Sequence, residues 1–157
     1  MEEKSLLKYR KCVGMMIFNK EKKILVGRRI DHPSGFWQMP QGGIDDDEDY
    51  LIAAYRELRE ETGIKNVELI KELDGFTTYK LPTNLLGIIW KGKYKGQKQK
   101  WFVMRFLGND DEINIKTKRP EFLDWKWIEL DKITDLVVKF KFDVYKEIKK
   151  KVKNILN

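Results

Sequence analysis

Residues 42–64 read GGIDDDEDYLIAAYRELREETGI, and this stretch decides the fold. Leu51, Ala54, Tyr55 and Leu58 recur at i, i+3, i+4 and i+7, which predicts a helix with one buried face. Asp45, Asp46 and Asp47 offer N-caps, and their charge favours a helix start through the macrodipole. Gly63 fits the left-handed position after the last turn, and Ile64 the apolar contact beyond it. Glu57, Glu60 and Glu61 share a second face of the same helix. Three clustered carboxylates repel, and hard divalent cations with oxygen ligands offset such repulsion well. Taken alone, E-x-x-E-E reads most often as a solvated acidic face.

Strands are expected on both sides of that helix. Cys12–Phe18 is an apolar run and reads as a buried strand, turning at Asn19–Lys23 into a partner at Ile24–Gly27. Ile30–Gly43 holds two prolines and three glycines and reads as a loop with a short strand at Phe36–Met39. Further strands are expected at Val67–Leu73, Thr77–Leu81, Gly87–Trp90, Lys100–Leu107 and Trp125–Glu129. A short helix follows Asp131. Phe142, Tyr145, Ile148, Val152 and Ile155 mark the stripe of a C-terminal helix. The expected architecture is α/β: a mixed β-sheet between a central and a C-terminal helix, in one domain over residues 1–157.

Composition narrows the chemistry. Of 157 residues, 41% are hydrophobic and 12% aromatic, enough for a core, while 36% are charged. No apolar run approaches the ~20 residues of a membrane span, and Met1–Ser5 shows no signal segment, so a cytoplasmic protein is expected. A single cysteine, Cys12, excludes an internal disulfide and a thiolate cluster. A single histidine, His32, argues against a Ser-His-Asp triad, and no role is assigned to it. Charge is segregated: residues 44–62 carry a net −6, residues 76–109 a net +7 with no acid, and residues 136–157 a net +5. An acidic block concentrates cations, and basic flanks suit polyphosphate or a nucleic-acid backbone.

Gly42, Glu48, Arg56, Glu57, Leu58, Glu60, Glu61, Gly63 and Ile64 fill every position of G-x5-E-x7-R-E-U-x-E-E-x-G-U, where U is a bulky aliphatic. Seven fixed residues match by chance about once in a billion windows. The pattern resembles the Nudix box of hydrolases that act on nucleoside diphosphates linked to another group. That resemblance implies an α/β/α sandwich. It also implies that Glu57, Glu60 and Glu61, with the Gly42 carbonyl, bind Mg²⁺ or Mn²⁺, while Glu48 and Arg56 brace the loop against the helix.

Outside the box, Tyr9-Arg10, Trp37–Gly43, Tyr79–Pro82, Gly96–Phe102, Glu121-Phe122 with Trp125–Trp127, and Val137–Lys141 occur in order. Together they resemble the RNA pyrophosphohydrolases and the related diadenosine polyphosphate hydrolases. The resemblance implies Glu121 as a further metal ligand, Arg10 and Arg28 as phosphate or base contacts, and Tyr79 as a phosphate contact. It implies Phe140 as a base-stacking platform, with Lys141 near the phosphates. By residue type alone Phe140 reads as core, and Arg29 reads equally as a structural ion pair. Two positions depart from the pattern: Asp47 stands where relatives commonly carry Gly, and Asp124 falls one place late after Glu121-Phe122.

The implied reaction is metal-dependent attack of water on the 5′-triphosphate end of RNA, releasing pyrophosphate, with Glu57 or Glu61 as base. Hydrolysis of dinucleoside polyphosphates is the alternative. A non-catalytic nucleic-acid-binding module would be expected to have lost box carboxylates, and none is lost.

Overall fold

The structure is a computed structural model that describes residues 7–30 and 35–156. His32 and the Met1–Ser5 segment lie outside the described residues. The sheet contains β1 (Lys8–Phe18), β2 (Ile24–Arg29), β3 (Trp37–Gln38), β4 (Gln41–Gly43), β5 (Val67–Glu72), β6 (Thr77–Lys80), β7 (Tyr94–Phe106) and β8 (Phe122–Ile128). The helices are α1 (Tyr50–Thr62), a single turn α2 (Ile133–Leu136) and α3 (Phe142–Val152). The order β3-β2-β1-β7-β5 forms the main path, with β4 beside β1, β6 beside β7 and β8 beside β2. β1 and β7 run parallel and every other pair is antiparallel, so the sheet is mixed as expected.

β1 is apolar throughout its second half because both its faces are covered. Val13, Met15 and Ile17 pack with Leu58, Phe102 and Met104 under α1. Met16 and Phe18 pack with Trp101, Val103, Tyr145 and Ile148 under α3. The result is a helix, a sheet and a helix in three layers. Among the described residues, no helix is long and apolar enough to cross a membrane.

α1 ends as expected: Gly63 sits at φ 75 and its N–H donates to the Arg59 carbonyl. Its start differs. The N-cap is Asp49, whose carboxylate accepts from Leu51 N at 3.0 Å and Ile52 N at 3.3 Å. Asp45 is instead tied into a turn, its N–H donating to Glu48 Oε1 at 3.0 Å. Asp47 takes φ 61 in that turn, which shows why glycine suits this position and why aspartate is tolerated there.

Three strand expectations change. β7 starts at Tyr94 rather than Lys100: its first half, polar and without hydrophobic alternation, is held as a strand by pairing with β1 and β6. Gly87–Trp90 is not a strand. Gly87, Trp90, Lys91 and Gly92 all have positive φ, and the chain coils through a 3₁₀ turn at Ile89–Gly92. The apolar residues there, Leu85, Ile89 and Trp90, pack against the core cluster under α3 instead. β8 starts at Phe122, three residues before the expected Trp125, and contains a bulge: Arg29 pairs with Phe122 and Arg28 with Asp124, leaving Leu123 as the extra residue. That bulge absorbs the late Asp124.

α3 is locked to the strand pair before α1 by one buried bond, Met39 N to the Tyr145 hydroxyl at 2.8 Å. Tyr145→Phe would leave that N–H buried without a partner, at a cost of about 1–3 kcal/mol. Urea denaturation should show a lower midpoint with an unchanged slope. An unchanged midpoint would mean the bond contributes nothing net.

Candidate active site

A cavity of about 660 Å³ opens where the end of α1, β4 and the first half of β1 meet. This volume lies within the usual range for small-molecule sites. α1 delivers Glu57 and Glu61 to it from one side of the sheet. β1, β6 and β7 deliver Arg10, Tyr79 and Gln97 from the other. Glu121, just before β8, and Phe140 and Lys141, just before α3, complete the wall.

Gly42 makes this convergence sterically feasible. A Cβ there would overlap the Glu57 carboxylate, so glycine at this position lets the side chain keep its place against the strand. Arg56 then fixes the arrangement. Its Nε and Nη2 donate to the two oxygens of Glu48 at 2.8 and 2.9 Å, and Nη2 also reaches the Gly43 carbonyl at 2.9 Å. Nη1 donates to Glu57 at 2.9 Å and to Glu60 at 3.1 Å. The expected Glu48–Arg56 brace is present, and it holds a metal-ligand candidate as well.

The three box carboxylates occupy different environments. Glu61 is 7% exposed; it accepts from the Gln41 backbone N–H, but its Oε2 is buried with no hydrogen-bond partner. Burial first, then the charges of Glu57 and Glu121, pushes its carboxyl well above the usual range. Burial also raises Glu57, against the opposing pull of Arg56. Glu60 is half exposed, turned toward Arg56 and outside the cavity lining. Among the described residues, no three acidic, thiol or imidazole groups already converge as a closed metal cage. The donor set is nevertheless all oxygen, repels itself, and contains an orphaned buried carboxylate oxygen, so it fits a hard divalent cation.

The opposite wall is basic and aromatic. Phe140 packs on Tyr79 with ring centroids 5.5 Å apart, and Phe140 also lines the cavity. Lys141 is buried, and its Nζ donates to Gln38 Oε1 at 2.9 Å. Burial pushes the Tyr79 hydroxyl far above its ordinary value, so it stays protonated. Arg10 holds its guanidinium 5.6 Å from the Trp90 ring.

Arg28 does not join this group: it lies 6.0 Å from the Trp37 ring, outside the cavity lining. Arg29 lines the cavity instead, 4.0 Å from Glu121. Successive strand residues face opposite ways, so only one of two adjacent arginines can point in. Sequence reading also missed Trp90, which it placed in a strand. The buried amides Gln41, Gln97 and Gln99 escaped it too; Gln99 Nε2 donates to Gln41 at 2.9 Å and to Gln97 at 3.0 Å. Their polar composition hid them from a hydrophobic reading.

The family profile described as NUDIX domain matches residues 8–148. The chain belongs to the Nudix family. Members of this family generally use divalent metals. It is 66% identical over 156 residues to an RNA pyrophosphohydrolase of Pelagibacter ubique strain HTCC1062, covering 99% of each chain. It is 48% identical to an RNA pyrophosphohydrolase of Dinoroseobacter shibae, covering 90% of each. Among solved structures, it resembles an E. coli dihydroneopterin triphosphate pyrophosphohydrolase at TM-score 0.67 and 20% identity, covering 89% of this chain and 96% of that one. A C. elegans Ap4A hydrolase superposes at TM-score 0.63 and 20% identity, covering 91% and 98%. These structural likenesses share the Nudix fold with the chain.

The brace has a pH signature. Hydrogen bonds from Arg56, then from the Asp45 backbone, hold Glu48 at about 2 against an ordinary 4.5. A depressed folded-state pKa stabilises above the unfolded value and loses that contribution as pH falls toward the folded one. Glu48→Gln should therefore cost about 2 kcal/mol at neutral pH. The gap from the parent should close as melts are run from pH 4.5 down toward 2. A gap that stays constant across that window would remove the ion pair as its cause.

Proposed function

We propose that this chain hydrolyses the 5′-triphosphate end of RNA, releasing pyrophosphate and leaving a 5′-monophosphate. One observation carries this reading: Glu57 and the orphaned Glu61 carboxylate face, across one cavity, a wall of Arg10, Lys141 and the Phe140–Tyr79 pair. The 66% identity to an enzyme named for this reaction supports it. RNA substrate implies action in the cytoplasm.

Glu57, Glu61 and Glu121, with the Gly42 carbonyl, would hold Mg²⁺ or Mn²⁺, and Glu60 would join them by leaving Arg56. Such a cation lowers the pKa of bound water and neutralises phosphate oxygens. The chain's own groups do the rest. Arg10 and Arg29 present forked donors to phosphate oxygens. Lys141 sets a positive charge beside the aromatic pair. Phe140 offers a face on which an unpaired base can stack without regard to sequence. A cavity glutamate, Glu57 or Glu61, accepts the proton of the attacking water. No covalent enzyme intermediate is expected, because no activated nucleophile is visible, and Cys12, the one thiol, is fully buried.

The test is pyrophosphate release from 5′-triphosphate RNA in Mg²⁺, run beside diadenosine tetraphosphate. We expect kcat/KM to favour RNA. Glu61→Gln should lower turnover by on the order of a hundredfold or more while the protein stays folded. Phe140→Ala should raise KM for RNA more than it lowers kcat. A large preference for the dinucleotide would overturn the RNA assignment.

A further inference from the structure

The sheet that lines the cavity carries a second charged surface on its other face. Where Arg10, Gln97 and Tyr79 point into the cavity, their strand neighbours point away from it. Lys11 of β1 stands beside Lys98 of β7, and Lys98 stands beside Thr78 of β6. One row further out, Tyr9, Gly96 and Lys80 align across the same strands. Lys11, Lys80 and Lys98 are exposed, because α1 covers this face only from Val13 onward.

Aromatic rings are interleaved with the lysines. Phe76 is 40% exposed, with Lys98 Nζ 4.6 Å and Lys100 Nζ 5.1 Å from its ring centroid. Lys95 Nζ lies 4.8 Å from the Tyr9 ring. Lys100 is neutralised by Glu72 at 3.5 Å. Lys11, Lys80, Lys95 and Lys98 have no carboxylate within ion-pair distance among the described residues. The acidic turn at 45–49 precedes Tyr50, whose ring meets Phe76 at 5.6 Å, and so bounds the strip on one side.

Four uncompensated lysines around two rings, on strands that also build the cavity, repel one another and any cationic partner. A flexible polyanion with stackable bases relieves that repulsion and uses the rings. We propose that this strip, Tyr9, Lys11, Phe76, Lys80, Lys95 and Lys98, holds the single-stranded body of the RNA whose 5′ end occupies the cavity. The inference rests on the RNA reading given above. It makes substrate length a determinant of rate: the cavity recognises the triphosphate end, and the strip adds backbone contacts that a very short RNA cannot reach.

The test compares unstructured 5′-triphosphate RNAs of about 3 and about 20 nucleotides, chosen to fall short of and to span such a backbone track. The parent is run beside the double variant Lys11→Glu/Lys98→Glu. A second double variant, Lys146→Glu/Lys150→Glu on the exposed side of α3, carries the same change of net charge. The strip variant should lose about tenfold in kcat/KM on the long RNA and less than about twofold on the short one. Its salt dependence on the long RNA should flatten by about 0.7 per lost phosphate contact. The α3 variant should leave both substrates near parental rates. Phe76→Ala should act on the long RNA only. Equal losses on both lengths, equal losses in the two double variants, or no loss at all would overturn the strip. The last result would leave the surface to an acidic protein instead. A parent that releases no pyrophosphate from either RNA would refute the RNA reading itself.

Discussion

The Arg56 guanidinium is the interaction on which the site depends. Its planar fork reaches four residues on three elements: the Gly43 carbonyl at the end of β4, Glu48 in the turn before α1, and Glu57 and Glu60 on α1. No other side chain type offers that many donors in one plane. Without it, the acidic connection and the acidic face of α1 would repel. With it, the strand, the turn and the helix close on one another, and Glu57 is held against Gly42.

Placing that brace beside the cavity divides the carboxylates by environment. Glu48 gives up its proton readily because it is fully paired. The Glu61 carboxylate is held against burial and its acidic neighbours, which oppose its charge. A buried carboxylate without a second partner is costly in a folded protein, and such costs concentrate where a ligand later offsets them. The same contrast runs across the cavity: acids approach from the α1 face, cations and rings from the α3 face. A polyphosphate with a base at one end has the matching order of charge and apolar surface.

Much of this was legible in the chain itself. The helix and its glycine stop followed from residues 42–64, since spacing and residue type specify them locally, while the brace followed from the resemblance to the Nudix box. The apolar strand before them followed from its unbroken hydrophobicity. Other features depend on what the sequence pairs across space. The N-cap is Asp49 because the turn closed by the Asp45 N–H on the Glu48 carboxylate delays the helix start to Tyr50. The inward half of β7 is polar, since buried glutamines satisfy each other's amides there. Which of Arg28 and Arg29 faces the cavity depends on a strand register that two adjacent arginines do not reveal. Trp90 belongs to a left-handed turn whose apolar composition imitates a strand.

The central claim is that the α1 carboxylates are an ion site first and a charged surface second. Mn²⁺ titration followed by electron paramagnetic resonance addresses it without relying on turnover, because bound and free Mn²⁺ give different signals. The account predicts saturable binding by the parent that is weakened on the order of 10-fold or more in Glu61→Gln and retained when an exposed acid such as Glu147 is changed to Gln. Equal binding by all three proteins would contradict it.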